Sequence, residues 1–148
     1  MARSAFSPQR LRSPQLWCGA VGLFFLTQGI WGYVAPRHFF DTLATFEPYN
    51  EHFMRDASAF EMGIAVAGVM GALRVSAAVV GLSGLLVFQV LHVLSHVIDR
   101  HEGGRPWFDI PSLSLVAVFT AVALVWAVRD QASETSSTVS RAAGTGGA

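Results

Sequence analysis

Four apolar stretches divide the chain, over residues 16–34, 51–73, 75–97 and 111–128, and the polar residues gather between them. Each is long enough to cross a hydrocarbon core of about 30 Å, which takes roughly 17–25 apolar residues. The link at Arg74 is too short to let the second and third stretches separate, so they are antiparallel neighbours. The pattern predicts an all-α fold, a four-helix transmembrane up-down bundle over residues 16–130. The first stretch reads as a mature helix and not as a signal peptide, because it lacks a clear small-residue cleavage site and three more spans follow.

Composition agrees with a bilayer setting. Of 148 residues 52% are hydrophobic and 14% charged, against about 25% charged in soluble domains. Net charge is zero and all ten basic residues are arginines, so no nucleic-acid surface is indicated. Arg3, Arg10 and Arg12 precede the first stretch, Arg74 lies in the tight link and Arg129 follows the fourth. The positive-inside rule therefore puts both termini in the cytoplasm and the loops 35–50 and 99–110 outside, in a multi-pass protein of the cell membrane. Residues 1–15 read as a flexible basic leader beside anionic headgroups. Residues 131–148, rich in Ser, Thr, Ala and Gly without an aromatic, read as a disordered cytoplasmic tail. The lone Cys18 has no disulfide partner in the chain and reads as a small buried apolar residue.

The third stretch carries a polar line where a lipid-facing helix should have none: Gln89, His92, His96 and Asp99. At 100° per residue these four fall within about 80° of one another, on one side of a helix. Imidazole and carboxylate groups are costly in a membrane and usually face a protein interior or a water-filled cavity. The line is therefore expected to turn inward, toward the second span.

A second cluster opens the second stretch, with Glu51, His52, Arg55 and Asp56, and Glu61 deeper. Glu51 with Arg55 and His52 with Asp56 are both four apart, which pairs them along one sector. By helix rise Asp56 lies about 9 Å in from Asn50 and His92 about 10 Å in from Asp99, so both clusters reach the same outer-leaflet layer. Glu61, about 15 Å in, must be protonated, partnered or beside a water-filled path.

His92 and His96 set two imidazoles on one helical face at a spacing known from helical metal sites, and a carboxylate from a facing helix can complete the set. Glu51, His52 and Asp56 are the expected partners, Zn, Fe or Cu the expected ions, and Arg55, Glu61 and Gln89 the expected contacts to a cofactor or ligand. A haem would need His52 as its second axial ligand, since His92 and His96 lie on one side, and it ranks below a simple ion because no attachment motif is present. Two other readings stay open: a packing network that only fixes helix register, and proton or quinone chemistry. The loop 35–50, with Phe39, Phe40, Phe46 and Tyr49, reads either as an aromatic belt at headgroup depth or as a lid. Gly63, Ala67 and Gly71, with Gly81 and Gly84, allow close helix contact.

The runs Ala35-Pro36-Arg37-His38-Phe39-Phe40-Asp41, Pro48-Tyr49-Asn50-Glu51-His52 with Arg55-Asp56, and His92 with His96 and Asp99 resemble a group of small, uncharacterised actinobacterial four-helix membrane proteins, loosely DoxX-like in size and helix count. The resemblance covers roughly residues 16–128 and implies a compact four-helix fold without an assigned activity. Two functional classes follow. One is a redox or metal-dependent membrane protein with its site at His92 and His96. The other is a non-catalytic membrane subunit whose polar network is structural and whose outer aromatics dock a membrane partner or a second copy.

Overall fold

A proline and a one-residue link set the course of the chain. The computed structural model describes residues 14–145, and helix α1 covers Pro14–Val34, α2 Pro36–Thr42, α3 Glu51–Leu73, α4 Val75–Ile98 and α5 Pro106–Thr145. Pro36 fits the first turn of α2 but not the interior of a continuous helix, so the chain turns by 118° between α1 and α2. Arg74, in an extended conformation, is the only residue between α3 and α4. α3 starts where the Asn50 side chain accepts the Phe53 amide at 3.0 Å, with Glu51 favourably placed in the first turn. α5 starts with Pro106, and the Asp109 carboxylate reaches back to accept the Arg105 amide at 2.6 Å.

α3, the Ala77–Ile98 part of α4 and the Pro106–Ser137 part of α5 are long and apolar enough to cross a membrane, and the bent pair α1 and α2 makes a fourth candidate. Their outward faces are apolar: Leu23 is 57% exposed, Phe60 77%, Val80 71% and Val118 58%. A soluble bundle would hide such a continuous apolar surface.

The tightest seam joins α1 to α3. A methyl on Gly22 would sit 2.7 Å from the Val69 amide nitrogen, and one on Gly29 would sit 2.9 Å from the Ser58 carbonyl oxygen. Backbones this close need small residues, as in membrane helix pairs generally. α4 meets α3 near the Arg74 end, where Gly81 faces the Ala67 carbonyl and Gly71 faces Ala78. Of the small residues expected to line that contact, Ala67, Gly71 and Gly81 do so, whereas methyls on Gly63 and Gly84 would touch nothing. Two apolar layers fill the centre. One is Cys18, Ala78, Leu82, Ala123 and Ala127, and above it come Val21, Phe25, Ala65 and Leu85. Cys18 is fully buried, as expected, and its thiol donates to the Gly68 carbonyl at 3.1 Å.

Two segments differ from expectation. Residues 131–145 continue α5 as helix instead of forming a loose tail. The hydroxyls of Ser133, Thr135 and Ser136 donate to carbonyls four residues earlier, so they bond within the helix and do not compete with it. The loop 35–50 turns part of its aromatic content inward: Phe39, Phe40 and Met54 form a small buried cluster against Trp31 and Tyr49. Of the expected leader only Pro14 and Gln15 are described, and they begin α1; positions 1–13 and 146–148 lie outside the described residues.

Candidate functional site

The polar line of α4 does turn inward, and its partner is α5. Gln89, 2% exposed, donates from Nε2 to Thr120 Oγ1 at 3.0 Å, and Thr120 passes its own proton to the Val116 carbonyl at 2.9 Å. Thr120 is fully buried, so this pair closes the deepest part of the line. One turn further along α4 the rings of His92 and His96 meet, with their Nε2 atoms 3.2 Å apart. His96 Nδ1 then faces Asp109 Oδ2 at 4.0 Å, and both side chains are largely buried.

The connector between α4 and α5 sets this end of the site. Gly104, at φ +70°, turns the chain so that its amide donates to the Thr45 carbonyl at 3.0 Å, and Gly103 pairs with Phe46 in an isolated β-bridge. Few residues other than glycine adopt that φ. A methyl on Gly104 would also sit 2.8 Å from the Phe46 ring and 3.0 Å from Asp109 Oδ2. Phe46 consequently lies edge-on to His96, with ring centroids 5.3 Å apart, and roofs the imidazole pair. Phe88 packs under His92 at 5.5 Å. Asp99, the last member of the line, is exposed at the C-cap of α4.

Bond direction within the pair follows from Asp109. A carboxylate favours the proton on His96 Nδ1, which leaves His96 Nε2 as an acceptor and His92 Nε2 as the donor between the rings. His92 Nδ1 is then a bare lone pair. It is buried and has no hydrogen-bond partner, a condition shared by the Tyr49 hydroxyl and Arg105 Nε. Burial, with Glu51 second, raises the Tyr49 phenol above its ordinary value.

The second cluster stands apart. His52 Nε2 pairs with Asp56 at 3.3 Å and Arg55 with Glu51 at 2.6 Å, and all four side chains are well exposed. The expected spacing is right, but these groups satisfy one another on the outside of α3 and none of them bonds to His92 or His96. The carboxylate that faces the imidazoles comes from α5, and the expectation of Glu51, His52 or Asp56 in that place is corrected accordingly. The physical reason is helix rotation: sequence fixed the depth of α3, whereas the Gly22 and Gly29 seam turns its Ser58 face to α1. Among the described residues no group of three or more His, Cys, Asp or Glu side chains is placed to hold a metal ion. The two Nε2 atoms alone have a separation that suits either one hydrogen bond or two ligands on one ion. Glu61 is half-buried on α3 and has no hydrogen bond or ion pair among the described residues.

Asp109, Thr120 and Arg105 were not among the residues expected at the site, and Phe46 was expected only as part of an aromatic belt or a lid. Pro106, a helix-start signal, marks Asp109 as a first-turn residue facing back along α5, and that signal was available in the sequence. No protein-family model, curated protein or solved structure matches the chain.

Proposed function

We propose that the protein is a multi-pass integral membrane protein, with both termini cytoplasmic, in which His92, His96 and Asp109 pass protons between the interior of the bundle and the outer face. The observation that carries this reading is the unpartnered Nδ1 of His92 beside a bonded imidazole pair. A network kept only for packing would satisfy its members, since each buried unpaired group costs stability.

The relay follows from tautomers. A proton taken up at His92 Nδ1 allows the Nε2 proton to move to His96 Nε2, and His96 then releases its Nδ1 proton to Asp109 through one bridging water, since 4.0 Å is too long for a direct bond. Asp109 lies at the loop end of the bundle, beside exposed residues of the connector, so the proton leaves there. Each ring ends as its opposite tautomer, and the relay resets when the rings exchange protons with solvent. The apolar layers of Phe25, Leu85, Leu82 and Ala123 lie beneath His92, so the path serves one side of the membrane only.

Histidine-labelled protein in nanodiscs tests this by nitrogen NMR. His92 should carry its proton on Nε2 with Nδ1 bare, and Asp109→Asn should slow solvent exchange of the His92 ring proton by at least about tenfold, the loss of one charge-assisted step. The opposite tautomer, or exchange unchanged by Asp109→Asn, would overturn the relay.

A second reading has one observation in its favour. Gln89 and Thr120 bond to each other in full burial, as a purely structural lock would. On that reading the protein is a non-catalytic membrane subunit, and histidine substitutions leave its activity-bearing partner unaffected.

A further inference from the structure

Three half-buried polar side chains from three helices reach one level of the bundle, just beyond the Phe25 layer, and each keeps at least one polar atom without a hydrogen bond among the described residues. Gln28 lies three residues past Phe25 on α1, between the buried Phe25 and Gly29. Phe25 meets Phe88 edge-to-face at 5.2 Å, and His92 lies four past Phe88 on α4, which runs parallel to α1. Glu61 lies on α3 between the buried Ser58 and Ala65, and the Gly29 contact with Met62 puts it at the height of Gln28. Gln28 and Glu61 have no hydrogen bond among the described residues, and His92 Nδ1 is buried without one. An amide, a carboxyl and a bare imidazole nitrogen around one apolar floor form a set that a ligand can complete.

Access is from the side. Gly81 sits against the Ala67 carbonyl, with 2.6 Å to a methyl built there, yet a methyl on the half-buried Gly84 one turn later would meet nothing within 4 Å. Space therefore opens beside α4 at Gly84, one turn before Phe88.

We propose that Gln28, Glu61 and His92 bind a lipid-soluble molecule whose headgroup is an aromatic ring bearing a hydroxyl. The ring lies against Phe88 and Phe25, where edge and face contacts favour an aromatic over an alkyl headgroup. The hydroxyl donates to His92 Nδ1, and the Gln28 amide and Glu61 carboxyl hold a second polar atom of the headgroup. A pocket of a few polar groups on an aromatic floor is the usual make-up of a small-molecule site. This inference rests on the relay reading for its choice of a hydroxyl donor, because a bare His92 Nδ1 is what recognises it.

4-Octylphenol and octylbenzene, titrated into the protein in nanodiscs and followed by NMR, distinguish the outcomes. The phenol should bind saturably and move the His92 Nδ1 resonance, and octylbenzene should only partition. Gln28→Leu and Glu61→Leu, each checked for native helix content, should weaken phenol binding by about tenfold, the loss of one buried hydrogen bond. Asp99→Asn, exposed at the C-cap of α4, should leave the affinity within about twofold. Equal behaviour of the two probes, or affinity unchanged by both leucine variants, would overturn the proposal. Saturable phenol binding with no effect of Asp109→Asn on proton exchange would retain the site and remove the relay. The reverse result would remove the site alone.

Discussion

Gln89 of α4 and Thr120 of α5 bond to each other at 3.0 Å where solvent barely reaches either side chain. The hydroxyl accepts from the amide and donates back along its own helix to Val116. This contact fixes the rotation of α4 against α5 and thereby aims His92 and His96 along the same helical face.

Thr120→Val keeps the shape of the side chain but strands the Gln89 amide. The expected loss is about 0.6–1.7 kcal/mol, the span from the mean to the largest interhelical hydrogen bonds measured in a membrane protein. Gln89→Leu combined with Thr120→Val should recover most of it, because an apolar pair leaves nothing unpaired. Reversible unfolding in mixed detergent micelles measures both, and a double variant as weak as the single one would contradict the account.

The glycines divide into two classes by their surroundings. Gly22→Ala and Gly29→Ala put a methyl within 3 Å of α3 backbone atoms and should separate α1 from α3, at a cost of about 1–3 kcal/mol for overpacking. Gly63→Ala and Gly84→Ala meet open space and should be neutral or slightly stabilising, since alanine is the better helix former. Thermal inactivation in detergent, read by loss of monodisperse protein, should order the four variants in these two groups.

The all-helical fold, the Arg74 turn and the inward turn of Gln89, His92 and His96 were legible in the sequence because length and 3.6-residue periodicity carry them directly, whereas the short α2 and the exposure of Asp99 were not. The partner of the line was not. Depth along a helix follows from residue count, but the azimuth of His52 and Asp56 depends on which face α3 gives to α1. The Ser58 face answers to Gly29 and Gly32, whose significance shows only once the two helices are together. Asp109 was hidden for a different reason: α5 begins at Pro106, five residues before the apolar run, so the carboxylate belongs to a helix and not to a loop. Phe46 reaches His96 through a bridge to Gly103, a pairing between two loops that no local pattern encodes.

Membrane orientation is testable with single cysteines in a Cys18→Ala background. Cysteine at His101 or Glu102, both exposed in the α4–α5 connector, should react with an impermeant maleimide on intact cells. Cysteine at Gln131 or Ala132, exposed on the far part of α5, should react only after permeabilisation. The reverse pattern would place the His92 end of the bundle in the cytoplasm and send the relay to the other compartment.

Added Zn²⁺ probes the imidazole pair itself. The two Nε2 atoms stand 3.2 Å apart, close to the separation of two nitrogens on one tetrahedral ion, so zinc can replace the proton between them. Zn²⁺ would then have only two protein ligands, because Asp109 Oδ2 lies behind His96 on the Nδ1 side and the Glu51 and Asp56 carboxylates of α3 are paired elsewhere. Binding should therefore be weak, be lost in His92→Ala and in His96→Ala, and slow His92 proton exchange while zinc is present. Titration calorimetry on metal-stripped protein in nanodiscs gives the affinity and stoichiometry. Asp109→Asn should weaken zinc as well, since the carboxylate behind a metal-bound histidine raises its basicity, an effect typically worth about 10–100-fold in metal affinity. Tight one-to-one binding that survives dialysis would mean that a third ligand reaches the pair in the membrane, and a metal centre would then replace the relay as the function of this site.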